Sequence, residues 1–335
     1  MFAAHHEPAW AALALCAALL HSMNHALFKS LLFLGAGAVS DATHSLDIED
    51  LGGLLRRMPG TGAAYLVACC SVAGLPLFNG FVSEWMVFRS FLAGASLTTV
   101  PAVIVMPLMM GLLALVGGLA AACFAKVYGV AFLGRPRSAH AENAGEVPLP
   151  MRVAMMILAG ACVLLGVFPG VMLQPLSLNV QDLLGGAALP SEITRLAGLM
   201  PWLALGVVTI SVLGFAIRRV SRRSPTWACG LPNLDSRMQY TATAFSKPVR
   251  KVFAQVYRPD RTVEILPADD HYFPASISYR SVRTTSFERS LYRPAMDAIV
   301  ATGHRLRRLQ TGNIQVYLLY VFLALLGVLM FMRFA

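Results

Sequence analysis

The stretch HSMNHALFKSLLFLGAGAV, residues 21–39, carries the strongest structural signal in this chain. It lies inside an apolar run from about residue 10 to residue 39, which is long enough to cross a bilayer. His21, His25 and Lys29 are four residues apart, so a helix places their side chains on one face. Because buried charges are costly in a membrane, such a row usually faces a protein interior or a wet cavity. The stretch therefore predicts a spanning helix with one functional polar face.

The composition indicates a membrane protein with several spanning helices. The chain has 335 residues, of which 57% are hydrophobic and 13% charged, and its mean hydropathy is +0.63. A soluble domain carries about 25% charged residues. The predicted fold class is all-α, with about seven transmembrane helices, one of them discontinuous. The predicted spans are approximately residues 10–39, 61–78, 80–99, 102–133, 151–172, 197–217 and 314–332.

The discontinuity is predicted at GLPLFNG, residues 74–80, where Pro76 and two glycines interrupt the apolar pattern. Such backbone breaks occur at membrane depth only where they are buried in protein or line a water-filled cavity. Glu84 follows the break by four residues, in NGFVSEWMVF. A break and an acidic residue so close together predict a functional site.

The charge distribution predicts three regions and a membrane orientation. Residues 218–308 contain 17 Lys and Arg against 7 Asp and Glu, and no apolar run there could span a membrane. By the positive-inside tendency this segment is expected to be cytoplasmic. The regions are then a membrane core at 1–217, a basic cytoplasmic segment at 218–313 and a last helix at 314–335. The same reasoning places loop 134–152 inside and loops 41–59 and 173–196 outside.

Two patterns in the basic segment predict amphipathic helices. The first has apolar residues at helical spacing, interleaved with lysine and arginine, which is typical of a helix lying on a membrane surface: Phe245, Val249, Phe253 and Val256 with Lys247, Arg250 and Lys251. The second comprises Leu291, Met296, Ile299, Val300 and Leu306, with a C-cap expected at Gly312. Anionic lipid and a partner subunit are the two ligands that these helices suggest, and no nucleic acid is expected.

Five ionisable residues in apolar surroundings form the candidate site: His21, His25, Lys29, Glu84 and Lys126. Low dielectric brings lysine and carboxyl groups toward neutrality near pH 7, where histidine already titrates. Linked by water, the five could therefore pass protons. Three of the five also have simpler explanations, since either histidine could bond a backbone carbonyl in a packed core, and Lys126 could extend to the interface.

A metal site and redox cofactors are not expected. His21 and His25 could share a zinc ion by spacing, but Lys29 would repel a cation and no third ligand is evident. The chain has six cysteines and no C-x-x-C motif, and five of the six lie in apolar segments. These cysteines are predicted to be small buried thiols.

Three motifs resemble a known family: HSMNHALFKSLLFLGAGAV, DIEDLGGLLRRMPGT and AGLPLFNGFVSEW. They are similar to the antiporter-like membrane subunits of respiratory complex I and of multisubunit cation/proton antiporters. Within that superfamily, three further stretches resemble component B of hydrogenase 4 and its counterpart in formate hydrogenlyase: FNGFVSEW, CFAKVYGVAFLGRPR and TWACGLPNLDSRMQYTATAFSKPVR. The resemblance covers residues 10–335.

The resemblance implies a non-catalytic subunit in a bacterial inner membrane. It would couple redox chemistry elsewhere in a hydrogenase or complex-I-like assembly to proton, or sodium, translocation. His21, His25 and Lys29 would form the polar axis, Glu84 the charged residue at the broken helix, and Lys126 a basic position in the following helix. Many relatives carry lysine in place of Glu84, which leaves the ion and its direction open.

Two alternatives and one further expectation accompany this interpretation. The chain could belong to a monovalent cation/proton antiporter without a redox partner, or it could be a scaffold that no longer moves ions. Members of the family are longer and carry an earlier inverted-repeat unit with its own broken helix. Either the reading frame is split or truncated, or a separate chain is expected to supply the N-terminal half.

Overall fold

A computed structural model describes residues 7–97, 99–217, 227–231, 233–257, 260–266, 276–282, 288–307, 312 and 314–334. The chain divides into two compact units, Met1–Ser246 and Lys247–Ala335. The described part of the first unit is helical. Its helices are α1 (Pro8–Thr43), α2 (Leu54–Arg57), α3 (Pro59–Val72), α4 (Asn79–Ala95), α5 (Val100–Ala131), α6 (Ala139–Asn143), α7 (Leu149–Val167), α8 (Gly170–Leu183), α9 (Ser191–Ile217) and the start of α10 (Ala242–Val252).

Helix α1 is the element around which the first unit is built. Pro8 is its first residue. A proline is tolerated there because the N–H group that it lacks would have no partner inside the helix. It ends at His44, whose left-handed backbone (φ 51°) lets its N–H donate to the Ser40 carbonyl at 2.8 Å. Its 36 residues give a length of about 54 Å, which exceeds the thickness of the hydrocarbon core.

The predicted multi-pass helical membrane protein is confirmed. Among the described residues, five helices are long and apolar enough to cross a membrane: Pro8–Thr43, Ala102–Ala131, Leu149–Val167, Ser191–Ala216 and Ile314–Arg333. The two predicted spans around the break correspond to α3 and α4, which have 14 and 17 residues. Each is too short to cross the membrane alone and is not among these five.

Helices α3 and α4 run along α1 one after the other. The contacts proceed in strict order: the Tyr65 ring against Gly35, Asn79 with Asn24, Ser83 with His21, and Arg89 over the Trp10 ring. The position on α1 falls as the position on α3 and α4 rises. The two short helices are therefore antiparallel to α1, and the segment 73–78 interrupts them near the middle of α1.

Helices α7 and α8 follow α1 in the same way. Met151 lies near Gly37, Gly166 packs against the Leu77 carbonyl and the backbone of Phe78, and Leu173 lies in the apolar cluster formed by the N-terminal half of α1. The turn at residues 168–169 thus lies near the interruption between α3 and α4. Residues 173–196 were predicted to be an external loop, but residues up to Leu183 belong to α8, so the loop is shorter than predicted.

Three connecting segments meet at one end of the first unit: the one between α1 and α3, the one between α5 and α7, and the residues that precede α10. Gly53 donates its N–H to the Leu133 carbonyl at 2.9 Å, and Arg137 donates to the Leu51 carbonyl at 2.7 Å and the Tyr240 carbonyl at 2.7 Å. The prediction that loops 41–59 and 134–152 lie on opposite membrane sides was therefore wrong. It counted α3 and α4 as two separate crossings, whereas the contacts with α1 place them in succession along one helix.

Two glutamates at this end cap helices from other parts of the chain. Glu146 accepts from the Gly60 N–H at 2.7 Å and from the Thr61 hydroxyl at 2.5 Å, in the first turn of α3. Glu49 accepts from the Ala242 N–H at 3.1 Å and the Thr243 N–H at 2.7 Å, where α10 begins. Carboxylates satisfy free N–H groups and complement the helix dipole at such positions.

The second unit contains an antiparallel hairpin that was not predicted. Strand β1 (Asp260–Leu266) pairs with β2 (Ser276–Val282), with Asp260 opposite Val282. A π-helical turn (Glu288–Tyr292) leads into α12 (Arg293–Arg307), and α13 (Ile314–Phe334) closes the chain.

Both predicted amphipathic patterns lie largely on helices. The first covers α10 and α11 (Ala254–Tyr257), although the side chain of Val256 lies outside the described residues. The second covers the π-helical turn and α12, and its five apolar side chains are exposed. Gly312 has a left-handed φ of 71°, but residues 308–311 between it and α12 lie outside the described residues.

Candidate ion-translocation site

The ionisable row, which comprises His21, His25 and Lys29, lies in the middle of α1. Its members share one face of the helix, as their spacing predicted. The His21 and His25 ring centroids are 6.2 Å apart, and Phe28 packs edge-on to His25 at 5.3 Å. His21 and Lys29 are half-buried, whereas His25 is exposed. An exposed histidine at this depth in an apolar helix is unfavourable against lipid. The row therefore presents a polar face that the described residues cover only in part.

The backbone conformation of residues 74–77 separates α3 from α4. Gly74 and Leu77 both adopt left-handed conformations, with φ 62° and 74°. Only glycine takes such a conformation without strain, so Leu77 is held by the surrounding structure. A Cβ on Gly80 would meet the Ser71 carbonyl, and one on Gly166 would meet the Leu77 carbonyl. Three backbone segments thus approach closely here.

Glu84 projects across this interruption. Its carboxyl group lies against the Cα of Gly74 on the far side of the break, and the residue is half-buried. Its side chain has no ion pair among the described residues. The predicted neighbourhood of Glu84 and the break is thus present, but the structure does not test what the carboxyl group does.

A cluster of buried polar side chains, formed by Asn24, Asn79 and Ser83, links α1 to α4 beside the break. The Asn24 amide donates to the Asn79 carbonyl at 2.7 Å and to the Ser83 hydroxyl at 3.3 Å. The Asn79 amide returns to the Asn24 carbonyl and side-chain oxygen, both at 3.3 Å. All three residues are at most 2% exposed.

This cluster connects to the ionisable row through His21, whose Nδ1 is 3.1 Å from the Ser83 hydroxyl. Sequence analysis missed Asn24, Asn79 and Ser83, although all three occur in the quoted motifs. The available signal was Asn24, an amide one turn from His21 on an apolar helix. Its buried partners belong to α4, and periodicity within α1 alone could not identify them.

One atom of the cluster has no partner among the described residues. Asn79 Oδ1 is buried and accepts no hydrogen bond from them. A buried acceptor without a donor is costly, and ordered water commonly satisfies such groups. The break therefore contains a polar position that suits a water molecule.

Lys126 lies apart from the other four residues. It is half-buried, five residues before the end of α5, and donates to the Ser246 hydroxyl on α10 at 3.2 Å. This contact puts Lys126 near the end where the connecting segments meet. Of the described contacts, none joins Lys126 to Glu84 or to the row on α1.

Arg89 marks the opposite end. It forms an ion pair with Glu192 on α9, and its guanidinium is 6.0 Å from the centre of the Trp10 ring. Between the two ends, the described residues contain no group of three or more His, Cys, Asp or Glu that could hold a metal ion.

These features define the class: a multi-pass helical membrane protein with ionisable residues beside the break between α3 and α4. Residues 9–110, which include nearly all of α1, the break and Glu84, match the family model described as NADH:quinone oxidoreductase/Mrp antiporter, TM. The predicted resemblance to this superfamily is confirmed.

Curated relatives match nearly the whole chain. An uncharacterized protein of Mycobacterium tuberculosis is 39% identical over 341 residues, covering 96% of this chain and 53% of that protein. Hydrogenase-4 component B of Escherichia coli K12 is 34% identical, covering 97% of this chain and 50% of that protein. Formate hydrogenlyase subunit 3 of the same strain is 39% identical over 75% of this chain and 41% of that protein. The chain thus spans about half the length of the curated relatives it matches.

The fold is also similar to that of a solved structure. A chain of the membrane-bound sulfane sulfur reductase, an archaeal respiratory membrane complex, matches with a TM-score of 0.59 at 24% identity. The match covers 95% of this chain and 48% of that chain. At this identity the likeness concerns the fold alone.

Proposed function

We propose that this chain is part of a membrane subunit that translocates protons, or sodium ions, in a hydrogenase-4, formate-hydrogenlyase or other complex-I-like assembly. The chain itself is non-catalytic, holds no redox cofactor and uses the redox chemistry of its partners. The observation that carries the proposal is the His21–Ser83 hydrogen bond at 3.1 Å. It joins the ionisable row on α1 to the helix that bears Glu84, beside a break in the backbone.

The order of contacts along α1 supports the following membrane arrangement. Helices α3 and α4 form one discontinuous crossing, and α7 and α8 form another. With α1, α5 and α9, the first unit has five crossings, and α13 adds a sixth in place of the seven predicted. The three regions bounded at residues 217 and 313 remain part of the proposal. The end with the connecting segments is cytoplasmic, because the basic segment 218–313 follows α9 there.

Each candidate residue has a distinct role in this proposal. Glu84 exchanges protons at the break, where the unpartnered Asn79 oxygen supports water. His21, His25 and Lys29 extend the route along α1. Lys126, bonded to Ser246, forms its cytoplasmic end. Water bridges the gaps, since the described contacts among the five residues are limited to that between His21 and His25.

The partners follow from the exposed polar and basic faces. His25 needs cover at membrane depth, which supports an adjoining membrane subunit or a separate chain carrying the N-terminal half of the relatives. Lys247 and Lys251, which are exposed on α10, suit anionic lipid of a bacterial inner membrane.

Replacement of Glu84 by glutamine tests this function. The amide keeps the shape but cannot titrate, so redox-driven ion movement should fall roughly 100-fold, while the complex still assembles. The measurement is quenching of a pH-sensitive dye in inverted membrane vesicles, with complex content checked on native gels. Glu142→Gln, an exposed carboxylate on α6, is the matched control and should be silent. Full activity in Glu84→Gln would remove Glu84 from the route.

Membership of a monovalent cation/proton antiporter is the second candidate function. It is favoured by a 31% identity over 172 residues to a Na⁺/H⁺ antiporter subunit of Alkalihalophilus pseudofirmus, covering 50% of this chain and 21% of that protein. The same vesicles separate the two functions. Ion movement that starts with an electron donor supports the first, and exchange that starts with a sodium pulse alone supports the second.

A further inference from the structure

The Ser83 hydroxyl lies between three polar groups of the break. The Asn24 Nδ2 is 3.3 Å away, the His21 Nδ1 3.1 Å, and the Gly80 carbonyl 3.0 Å. A serine hydroxyl has one hydrogen to donate and two lone pairs to accept with. Three neighbours therefore saturate it, and the hydrogen positions can be worked out one by one.

The orientation of Asn24 is fixed first. The atom 2.7 Å from the Asn79 carbonyl must be the amide nitrogen, because an oxygen there would face another acceptor. The same nitrogen directs its second hydrogen to the Ser83 hydroxyl. One lone pair of Ser83 is thereby occupied in every protonation state of His21.

The Gly80 carbonyl determines the direction in which the Ser83 hydroxyl hydrogen points. A carbonyl can only accept, so the 3.0 Å contact requires Ser83 to donate. Ser83 then has one lone pair left for His21, and Nδ1 must carry a hydrogen to use it. If Nδ1 were bare, the single serine hydrogen would have to abandon either Gly80 or His21. One arrangement alone makes all three hydrogen bonds.

We infer that Ser83 is a positioning residue that keeps Nδ1 of His21 protonated, so that His21 exchanges protons through Nε2 alone. A proton arriving at Nε2 converts the neutral ring to imidazolium, and the same N–H bond breaks when the proton leaves. The Nδ1–H bond is never broken. This rests on the proposed function only where it assigns the exchanging atom; the assignment of the hydrogen stands on the geometry.

The consequence is that His21 stores a proton instead of passing it through its ring to Ser83. Its Nε2 lies on the ring edge opposite Ser83 and the buried cluster. The buried serine and asparagines, at most 2% exposed, form a wall of the route, and protons do not travel through them.

The assignment can be tested by solid-state nuclear magnetic resonance on the assembled complex with ¹⁵N-labelled histidine. The signals of His21 are identified by their loss in His21→Gln. In the wild type at alkaline pH, where the ring is neutral, the protonated nitrogen should be Nδ1 and the bare nitrogen Nε2. A wild-type ring with a bare Nδ1 would overturn the inference without any variant.

Ser83→Ala supplies the second measurement. Removing one hydrogen bond should change the ratio of the two neutral tautomers of His21 roughly 2- to 10-fold toward Nε2–H. Ser90→Ala is the matched control, since Ser90 is a serine on the same helix at 7% exposure, bonded to its own Val87 carbonyl at 2.7 Å. An unchanged ratio in Ser83→Ala, or an equal change in Ser90→Ala, would refute the positioning role.

The two proposals fail separately. If Glu84→Gln leaves ion movement intact while the tautomer is as assigned, the proposed function is wrong and this inference stands. If the wild-type tautomer is the opposite one while Glu84→Gln abolishes movement, the reverse holds.

Discussion

At the scale of single residues, substitution of Lys29 distinguishes a proton-exchanging role of this residue from a purely packing role. Lys29→Ala should lower redox-driven proton movement roughly 100-fold, because the route then loses one of its titrating groups. Lys29→Arg should fail to a similar extent, since guanidinium stays charged at any working pH. The measurement is dye quenching in inverted vesicles.

The matched control for Lys29 is its neighbour Ser30, which is exposed on α1. Ser30→Ala should leave both assembly and ion movement unchanged. Normal movement in Lys29→Ala, with equal amounts of complex, would reduce Lys29 to a residue that only anchors α1 at its partner surface.

Sequence spacing accounts for the position of some candidate residues and not of others. Spacing within one helix was enough to place His21, His25 and Lys29 on one face. Glu84 was identified because it follows Pro76 and Gly80 so closely. Lys126 could not be placed the same way, because α5 is apolar all round and carries no periodicity to mark its inner face. Its neighbour Ser246 is 120 residues away in sequence.

At the scale of elements, Gly166 sets how closely α7 approaches the break. A Cβ there would run into the Leu77 carbonyl and the backbone of Phe78, which cannot move aside as a side chain would. Gly166→Ala should therefore destabilise the complex by about 1–3 kcal/mol. Gly160→Ala on the same helix meets nothing within 4 Å and should be neutral or slightly stabilising. Thermal denaturation of the purified complex compares the two, and equal melting temperatures would contradict the close approach.

Glu49 holds the start of α10 and makes that contact pH-dependent. Partial burial raises the pKa of Glu49, but hydrogen bonds from the Thr243 side chain and from the Thr243 and Ala242 N–H groups lower it, as does the Arg137 charge, and the net pKa lies below its ordinary value of 4.5. A lowered folded-state pKa means that the stabilisation is complete above about pH 4.5. It is lost as pH falls through the lower folded value.

This cap can be measured by hydrogen exchange of the α10 amides. Glu49→Gln should increase their exchange at neutral pH roughly tenfold, as expected for a weakened N-cap, and wild type should approach the variant only in acid. Glu142→Gln at the same end should behave as wild type. Identical protection in Glu49→Gln and wild type would show that α10 is held by its other contacts.

The break at residues 74–80 was predicted, but its consequence, that α3 and α4 lie in succession along α1, was not, and neither was the turn between α7 and α8. A break within one crossing and a turn between two crossings share the same residues, here a proline between glycines at 74–80 and Phe168, Pro169 and Gly170 further on. The difference lies in which helix the next segment packs against. That information resides in pairs such as Asn24 with Asn79, and no local pattern contains it.

At the scale of the whole molecule, the uncovered row on α1 predicts dependence on a partner chain. His25 is exposed and Lys29 half-buried in the described structure, and a charge facing lipid at this depth costs about 2.5–3.5 kcal/mol. A membrane potential of 100 mV supplies only about 2.3 kcal/mol per charge. The potential is therefore of the same order as the cost of one uncovered step, so it cannot drive ions along a route that lipid lines on one side.

The chain alone in proteoliposomes should show no protonophore-sensitive ion exchange. Co-expression with a chain carrying the N-terminal half of the relatives should yield a stable complex with exchange restored, and Lys29→Ala in that complex should abolish it again. Robust exchange by the purified 335-residue chain would show that the row on α1 needs no cover.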